Sequence, residues 1–131
     1  MMSGRYLLDT HALLYAVARP HLLSARAFTA INDPLSVLYA SSASAWEIAT
    51  KYRLGKLPHA EPLIVDYLGS LARLGAGEIP VTSSHALLAG SFEVAHKDPF
   101  DRILAAQARL ENLSVISKDR ALDAFGVRRL W

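Results

Sequence analysis

The sequence predicts an α/β fold in which helices flank a central, mainly parallel sheet. Short apolar segments alternate with helical patterns along the chain, an order typical of parallel sheets covered on both faces. The 131 residues are 52% hydrophobic, which is enough for a substantial core. No internal repeat, low-complexity segment or linker interrupts the pattern. We therefore expect residues 1–131 to form a single domain.

In the first half of the chain, two short apolar runs are each followed by helical spacing of apolar residues. These patterns predict a strand at 5–8, helices at 10–17 and 24–31, a strand at 36–40 and a helix from Ser44 to about Gly55. Ser44 and Glu47 fit a capping box, and Glu47 with Lys51 fits a helical ion pair. We expect Trp46 on this helix to pack in the core.

The second half continues the alternation, with Gly, Pro and Asn residues at the predicted ends of elements. We expect His85, near one helix start, to lie at the surface or at a helix end. The predicted elements are an amphipathic helix at 61–74, a strand at 78–81, a helix at 84–94, a helix from 98 to about 112, a strand at 114–116, a short helix at 120–125 and an edge strand at 127–130.

The helix that begins near Asp98 has the strongest start signal in the chain. Asp98 is a good capping residue, and Pro99 suits the first helical position, where no N–H is needed. Asp101 lies three residues after the cap and so shares its face. Ala105 and Ala108 follow on that face, and their small side chains predict close packing against neighbouring elements.

Composition excludes several classes of protein. The absence of cysteine rules out disulfides, thiolate chemistry and cysteine metal sites. No apolar run is long enough to span a bilayer, and the N-terminus does not resemble a signal peptide, so we expect a cytoplasmic protein without membrane contact. The net charge of +2 is no strong nucleic-acid signature, so any phosphate-binding surface must come from local clustering of basic residues.

Four acids are predicted to meet at one edge of the sheet. Asp9, Glu47 and Asp119 each follow a predicted strand, and the carboxyl ends of parallel strands share the edge where ligands bind. The helix starting at Asp98 can place Asp101 beside them. Each acid alone has an ordinary explanation as a cap or an ion-pair partner. Together they would repel one another, and Mg²⁺ or Mn²⁺, which prefer carboxylate oxygens, would remove that repulsion.

Such a cluster favours hydrolysis of a phosphodiester by metal-activated water. The sequence has no GxxxxGK loop, no GxGxxG and no GxSxG, so use of nucleoside triphosphates or dinucleotides, or a serine nucleophile, is not indicated. His11 and His96 lie near the acids, but without cysteine a zinc site is the weaker alternative.

Four motifs follow one another along the chain: LLDTHALL at 7–14, SAWEI at 44–48, HKDPFDR at 96–102 with Gln107-Ala108, and SKD at 117–119. In this order they resemble the motifs of PIN-domain ribonucleases, and most closely those of the VapC-like toxins of toxin–antitoxin pairs. The resemblance extends from about residue 5 to residue 131. It implies a three-layer PIN-like fold and a metal-dependent endoribonuclease.

By position in these motifs, the resemblance implies that Asp9, Glu47, Asp101 and Asp119 are the catalytic residues and the ligands of Mg²⁺ or Mn²⁺. It also implies an RNA substrate, a cognate antitoxin and a homodimer. Thr10, Asp98 and Ser117 are supporting candidates. The residues that could contact RNA are His11, Arg102, Lys118 and Arg120, although the three basic side chains could instead balance the neighbouring acids.

Two other interpretations stay open. A catalytically silent RNA- or protein-binding module would need a broken acidic set, whereas this set is complete in the sequence. A phosphoacceptor receiver domain also places acids at strand ends. It needs a pair of acids after the first strand and a lone aspartate after a central one, and neither is evident here.

Overall fold

A computed structural model describes residues 4–131 and confirms the α/β architecture. Five strands form one sheet in the order β3-β2-β1-β4-β5, and all four strand pairings are parallel. The strands are β1 (Arg5–Leu8), β2 (Val37–Ser41), β3 (Ala76–Ile79), β4 (Ser114–Ile116) and β5 (Arg129–Leu130).

The helices lie between the strands in sequence and cover both faces of the sheet. The α-helices are α1 (Thr10–Ala18), α2 (Ala25–Asn32), α3 (Ser42–Arg53), α4 (Glu61–Val65), α5 (Tyr67–Leu74), α6 (Ser83–Ser91) and α7 (Pro99–Leu110); 3₁₀ helices span Pro20–Leu22 and Arg120–Phe125. No helix within residues 4–131 has the length and apolar composition needed to cross a bilayer.

The central strand β1 shows why the fold has three layers. Successive side chains of a strand point to opposite faces. Leu8 packs into a core with α1 and α2 residues, whereas Leu7 packs into a second core with α7 and the last 3₁₀ helix. Both leucines are fully buried. Ala105 and Ala108 of α7 are also buried in that second core, as their small size predicted.

The start of α3 differs from the prediction. The helix begins at Ser42 rather than Ser44, because the Ser41 hydroxyl accepts a hydrogen bond from the amide of Ala43 at 3.0 Å and so caps the helix directly after β2. The predicted capping box of Ser44 and Glu47 is therefore wrong, and Glu47 lies in the second turn. Trp46 is also not a core residue, since 66% of its surface is exposed.

The segment 61–74 was predicted as one helix and is two. Asp66 separates α4 from α5, and its side chain accepts a hydrogen bond from the amide of Gly69 at 2.9 Å. An aspartate that bonds the backbone ahead of it competes with helix continuation and favours a new start. The hydrophobic periodicity correctly predicted helix before and after Asp66, but this pattern does not reveal a break between two helices.

Smaller differences concern the ends of elements. Thr82 rather than Ser84 caps α6, which ends at Ser91 rather than near residue 94. The strand predicted at 78–81 lies at 76–79, and the edge strand predicted at 127–130 consists of two residues. Asp98 caps α7 as predicted.

Candidate functional site

An open cleft of about 410 Å³ lies at the carboxyl ends of β1, β2 and β4. Its walls come from the starts of α1 and α7, from α3 and from the loop after β4. Five acids line it, together with a hydroxyl, an imidazole and two ammonium groups: Asp9, Glu47, Asp98, Asp101, Asp119, Thr10, His11, Lys51 and Lys118.

Asp9 directly follows β1 and is fixed by its local structure. Its Oδ1 accepts a hydrogen bond from the amide of Ala12 at 2.8 Å and thereby caps α1. The side chain is buried, and burial raises the pKa of Asp9 above its ordinary value, although a hydrogen bond from Ser117 and the Ala12 amide oppose that rise. Asp9 is thus both the predicted cap and a lining residue of the cleft.

Glu47 lies on α3 with both carboxylate oxygens engaged. Thr10 donates a hydrogen bond to Oε1, and Lys51 forms an ion pair with Oε2. The Thr10 hydroxyl also lies 3.0 Å from the hydroxyl of Ser44. Burial lowers the pKa of Lys51, but the bond to Glu47 and the negative charges around it outweigh burial, so that the pKa is raised and the ammonium stays charged.

The start of α7 places a second acidic group at the cleft. Asp98 Oδ1 accepts from the amide of Phe100 at 2.9 Å, and Asp101 Oδ2 lies 2.8 Å from His96 Nε2. One potential ligand atom from each of His96, Asp98 and Asp101 lies within 4.8 Å of the others. Burial raises the pKa of Asp101 to about 6, and the charges of Asp98 and Asp119 add to that rise against the hydrogen bond from His96.

Asp119 completes the acidic set from the loop after β4. Its Oδ1 accepts from the amide of Ala121 at 3.0 Å, which caps the last 3₁₀ helix, and its side chain is exposed. Ser117 is buried behind it, and its hydroxyl accepts from the Asp119 amide at 3.0 Å. The structure therefore brings together Asp9, Glu47, Asp101 and Asp119, with Asp98 beside them.

The four residues considered for RNA contact separate into two pairs. His11 and Lys118 line the cleft, and Lys118 donates a hydrogen bond to the Tyr15 hydroxyl at 2.9 Å. Arg102 does not line the cleft, because its guanidinium points to the segment before α7 and bonds main-chain carbonyls there. Arg120 is exposed outside the cleft.

Two residues at the site were not among the predicted site residues. Lys51 was interpreted only as a helical ion-pair partner, although its i, i+4 spacing from Glu47 already placed it on the same helix face. His96 was considered only for a zinc site. Its position two residues before a capping aspartate was the available signal, but its bond to Asp101 depends on the path of the chain between α6 and α7.

The donor set suits a hard divalent cation. Carboxylate oxygens from the residue after β1, from α3, from the start of α7 and from the loop after β4 line one cleft. No cysteine is present to favour a softer metal. Burial is the main cause of the raised pKa of Asp101, and the crowding of negative charge from Asp98 and Asp119 adds to it. A bound cation would reverse that crowding and hold all the carboxyl groups in their ionised form.

Comparisons with known proteins agree with this geometry. The PIN domain family model matches residues 6–127. Ribonuclease VapC16 of Mycobacterium tuberculosis is 36% identical over 75 residues, a match that covers 52% of this chain and about half the length of that relative (53%).

Solved structures with the same fold have low sequence identity to this chain. VapBC2 from Rickettsia felis, bound to a DNA fragment from its promoter, matches with a TM-score of 0.66 at 16% identity and covers 96% of this chain and 97% of that one. FitAcB from Neisseria gonorrhoeae matches with a TM-score of 0.63 at 19% identity, covering 96% of each chain.

Proposed function

The chain belongs to the PIN domain family, and from this premise we propose that it is a Mg²⁺- or Mn²⁺-dependent endoribonuclease. The observation that supports this most directly is the convergence of five carboxyl groups from four separate parts of the chain on one cleft. The similarity to a protein named as a ribonuclease supports RNA as the substrate, over the half of that relative that matches.

We propose that Asp9, Glu47, Asp101 and Asp119 hold the metal. Asp98 and His96 support this set in the proposal, because their potential ligand atoms lie close to those of Asp101. When bound, Mg²⁺ or Mn²⁺ lowers the pKa of water and stabilises negative charge on the phosphodiester.

The remaining polar groups of the cleft have supporting roles in this proposal. Thr10 and Lys51 orient the Glu47 carboxylate, because Thr10 bonds Oε1 and Lys51 bonds Oε2. Lys118 and His11 lie among the lining residues and can contact phosphate oxygens of the RNA, contacts that position a nucleic acid without reading its sequence.

Metal dependence is tested with purified chain free of any antitoxin. It should cleave single-stranded RNA with Mg²⁺ or Mn²⁺, lose that activity with chelator and regain it when metal is restored. A matched preparation of Asp9→Asn controls for contaminating nuclease. Wild-type cleavage that persists in chelator and exceeds that of the control preparation would contradict metal dependence. Wild-type cleavage no greater than that of the control would contradict the nuclease, and RNA binding without cleavage would favour the silent module.

We further propose that a cognate antitoxin neutralises the enzyme, as the VapC-like resemblance implies. Expression of the chain alone should arrest growth, and co-expression of the product of an adjacent small gene should restore it. Harmless expression of soluble, nuclease-active chain would place it outside toxin–antitoxin systems. The homodimer remains a prediction, and light scattering on the purified chain tests it by measuring the molecular mass.

A further inference from the structure

The guanidinium of Arg102 on α7 bonds main-chain carbonyls in the last turn of α6 and in the segment between α6 and α7. Its Nε donates to the carbonyl of Ala89 at 2.8 Å, and Nη2 donates to that of Phe92 at 2.5 Å. Nη1 donates to the carbonyls of Val94 at 3.0 Å and His96 at 2.9 Å. One half-buried side chain therefore bonds four carbonyls spread over eight residues.

These bonds matter because the segment makes few other hydrogen bonds, although Phe92 and Val94 pack against the second core. Residues 93–97 have no helical or strand structure. Within residues 4–131, no hydrogen bond between two main-chain groups involves them. Hydrogen bonds from a charged guanidinium are about twice as strong as neutral ones, so Arg102 is the principal polar anchor of this stretch.

Aromatic packing fixes the guanidinium in turn. Its Cζ lies 6.0 Å from the centroid of the Phe92 ring and 5.9 Å from that of Phe125. The imidazole of His96 packs edge-on against the same Phe125 ring at 5.9 Å. Arg102 and His96 thus share one aromatic support, and the planar fork of arginine suits this place in a way that lysine does not.

We propose that Arg102 is a positioning residue, which holds the segment before α7 so that the His96 imidazole stays hydrogen-bonded to Asp101 at the cleft. The hypothesis rests on the proposed function, since it assigns Arg102 an effect on the metal site. Two hydrogen bonds form the connection: Arg102 Nη1 to the His96 carbonyl at 2.9 Å, and His96 Nε2 to Asp101 Oδ2 at 2.8 Å.

The test compares Arg102→Lys with Arg109→Lys. Arg109 is a matched control, because it lies on the same helix and near the same Phe92 ring (5.6 Å to the centroid) but donates to the carbonyl of Phe125 instead of the segment before α7. In Arg102→Lys without metal, the imidazole nitrogen signals of His96 in NMR spectra should lose the signature of a fixed hydrogen bond. In Arg109→Lys they should be unchanged.

Metal affinity supplies a second readout that does not need RNA cleavage. Loss of a group that orients a ligand typically weakens metal binding 10- to 100-fold. Titration calorimetry should therefore show about tenfold weaker Mn²⁺ binding for Arg102→Lys and none of this loss for Arg109→Lys. His96→Ala should weaken binding similarly, and the double variant should be no weaker than His96→Ala alone, because both changes act through one contact.

The outcomes separate this inference from the proposed function. If the wild-type chain binds Mn²⁺ but cleaves no RNA, the nuclease is contradicted. Weaker Mn²⁺ binding and a lost His96 signal in Arg102→Lys, but not in Arg109→Lys, then still support the role of Arg102. Additive losses in the double variant, or an unchanged His96 signal in Arg102→Lys, overturn that role. If Arg102→Lys does not fold, separate, slowly exchanging Nη proton signals of Arg102 in the wild type support the anchor, and averaged, fast-exchanging ones overturn it.

Discussion

Helices α6 and α7 begin with the same local arrangement, yet only α7 opens onto the cleft. Each has a capping residue followed three positions later by a titratable side chain. At α6 the two residues bond each other. The Thr82 hydroxyl accepts from the His85 amide at 3.3 Å, and His85 Nδ1 accepts from the Thr82 amide at 3.0 Å.

At α7 the two corresponding residues, Asp98 and Asp101, do not bond each other. Asp98 caps the helix through the amide of Phe100, whereas Asp101 is bonded by His96 from the preceding segment and lines the cleft. His85 is almost fully buried, with its second nitrogen 2.9 Å from Glu111. A group whose partners are all internal serves stability. Asp101, by contrast, is partly buried among other acids and faces the cleft, where a ligand can reach it. Burial and the neighbouring charges raise its pKa, which marks it as a candidate functional group.

The largest expected effect is on cleavage by Asp101→Asn. The change keeps the shape of the side chain and removes its charge, so we expect RNA cleavage to fall by roughly 10²–10³-fold, the range for removing one group that stabilises developing charge. Folding, measured by circular dichroism, should be retained. Asp123→Asn is the matched control, because it makes the same change on an exposed acid outside the cleft. Normal cleavage by Asp101→Asn would remove Asp101 from the proposed metal ligands.

The pH dependence of stability in metal-free protein should also differ between the two helix starts. The folded chain holds the Asp101 proton up to a pH of about 6, against 3.8 for the ordinary carboxyl. Between these values the folded state binds more protons, so this contribution to the free energy of unfolding is full below pH 4 and is lost as the pH rises through 6. The loss is at most about 3 kcal/mol.

Asp101→Asn removes this dependence. In chelator, its melting temperature relative to wild type should therefore rise from pH 4 to about pH 7 and then level off. Thr82→Ala on α6 should show no such rise relative to wild type over the same range, because it removes no titratable group and leaves Asp101 in place. Parallel curves for Asp101→Asn and wild type would show that the carboxyl is not destabilised by its surroundings.

A smaller effect is expected at Asp98, which is both a cap and a lining residue of the cleft. Asparagine caps a helix as well as aspartate does, so Asp98→Asn should leave stability unchanged and reduce cleavage about tenfold, as for a group that supports a ligand. Asp98→Ala should in addition lose roughly 0.5–2 kcal/mol of stability. Cleavage and thermal melting on both variants measure this. If Asp98→Asn is as inactive as Asp101→Asn while both are equally stable, Asp98 is a direct metal ligand.

The smallest effect on activity is expected at α6. Thr82→Ala opens the closed cap and should cost roughly 0.5–2 kcal/mol of unfolding free energy. Cleavage measured well below the melting temperature should be unchanged, since Thr82 does not line the cleft. A loss of cleavage comparable to that of Asp98→Asn would mean that α6 also controls the site and that the contrast between the two helix starts is wrong.

The sequence by itself determined the order of strands and helices, apart from the break at Asp66 and the short 3₁₀ helix at Pro20–Leu22. The alternation of apolar strands and helices predicted the parallel sheet, and Asp98 with Pro99 predicted the start of α7. Capping and hydrophobic periodicity depend on residues within a few positions of one another. The shared edge then follows from the parallel order of the strands. The same rules placed Asp9 and Asp119 after β1 and β4.

The tertiary structure decided which side chains meet across elements. Ser44 lies beside the Thr10 hydroxyl rather than capping α3, although 34 positions separate the two in sequence. Trp46 is exposed beside the Phe100 ring, whereas its apolar character alone favoured burial. The four main-chain carbonyls that bond Arg102 come within its reach only because the end of α6 and the segment after it fold back over α7. Such contacts depend on how packed elements are oriented, and neither composition nor periodicity encodes that orientation.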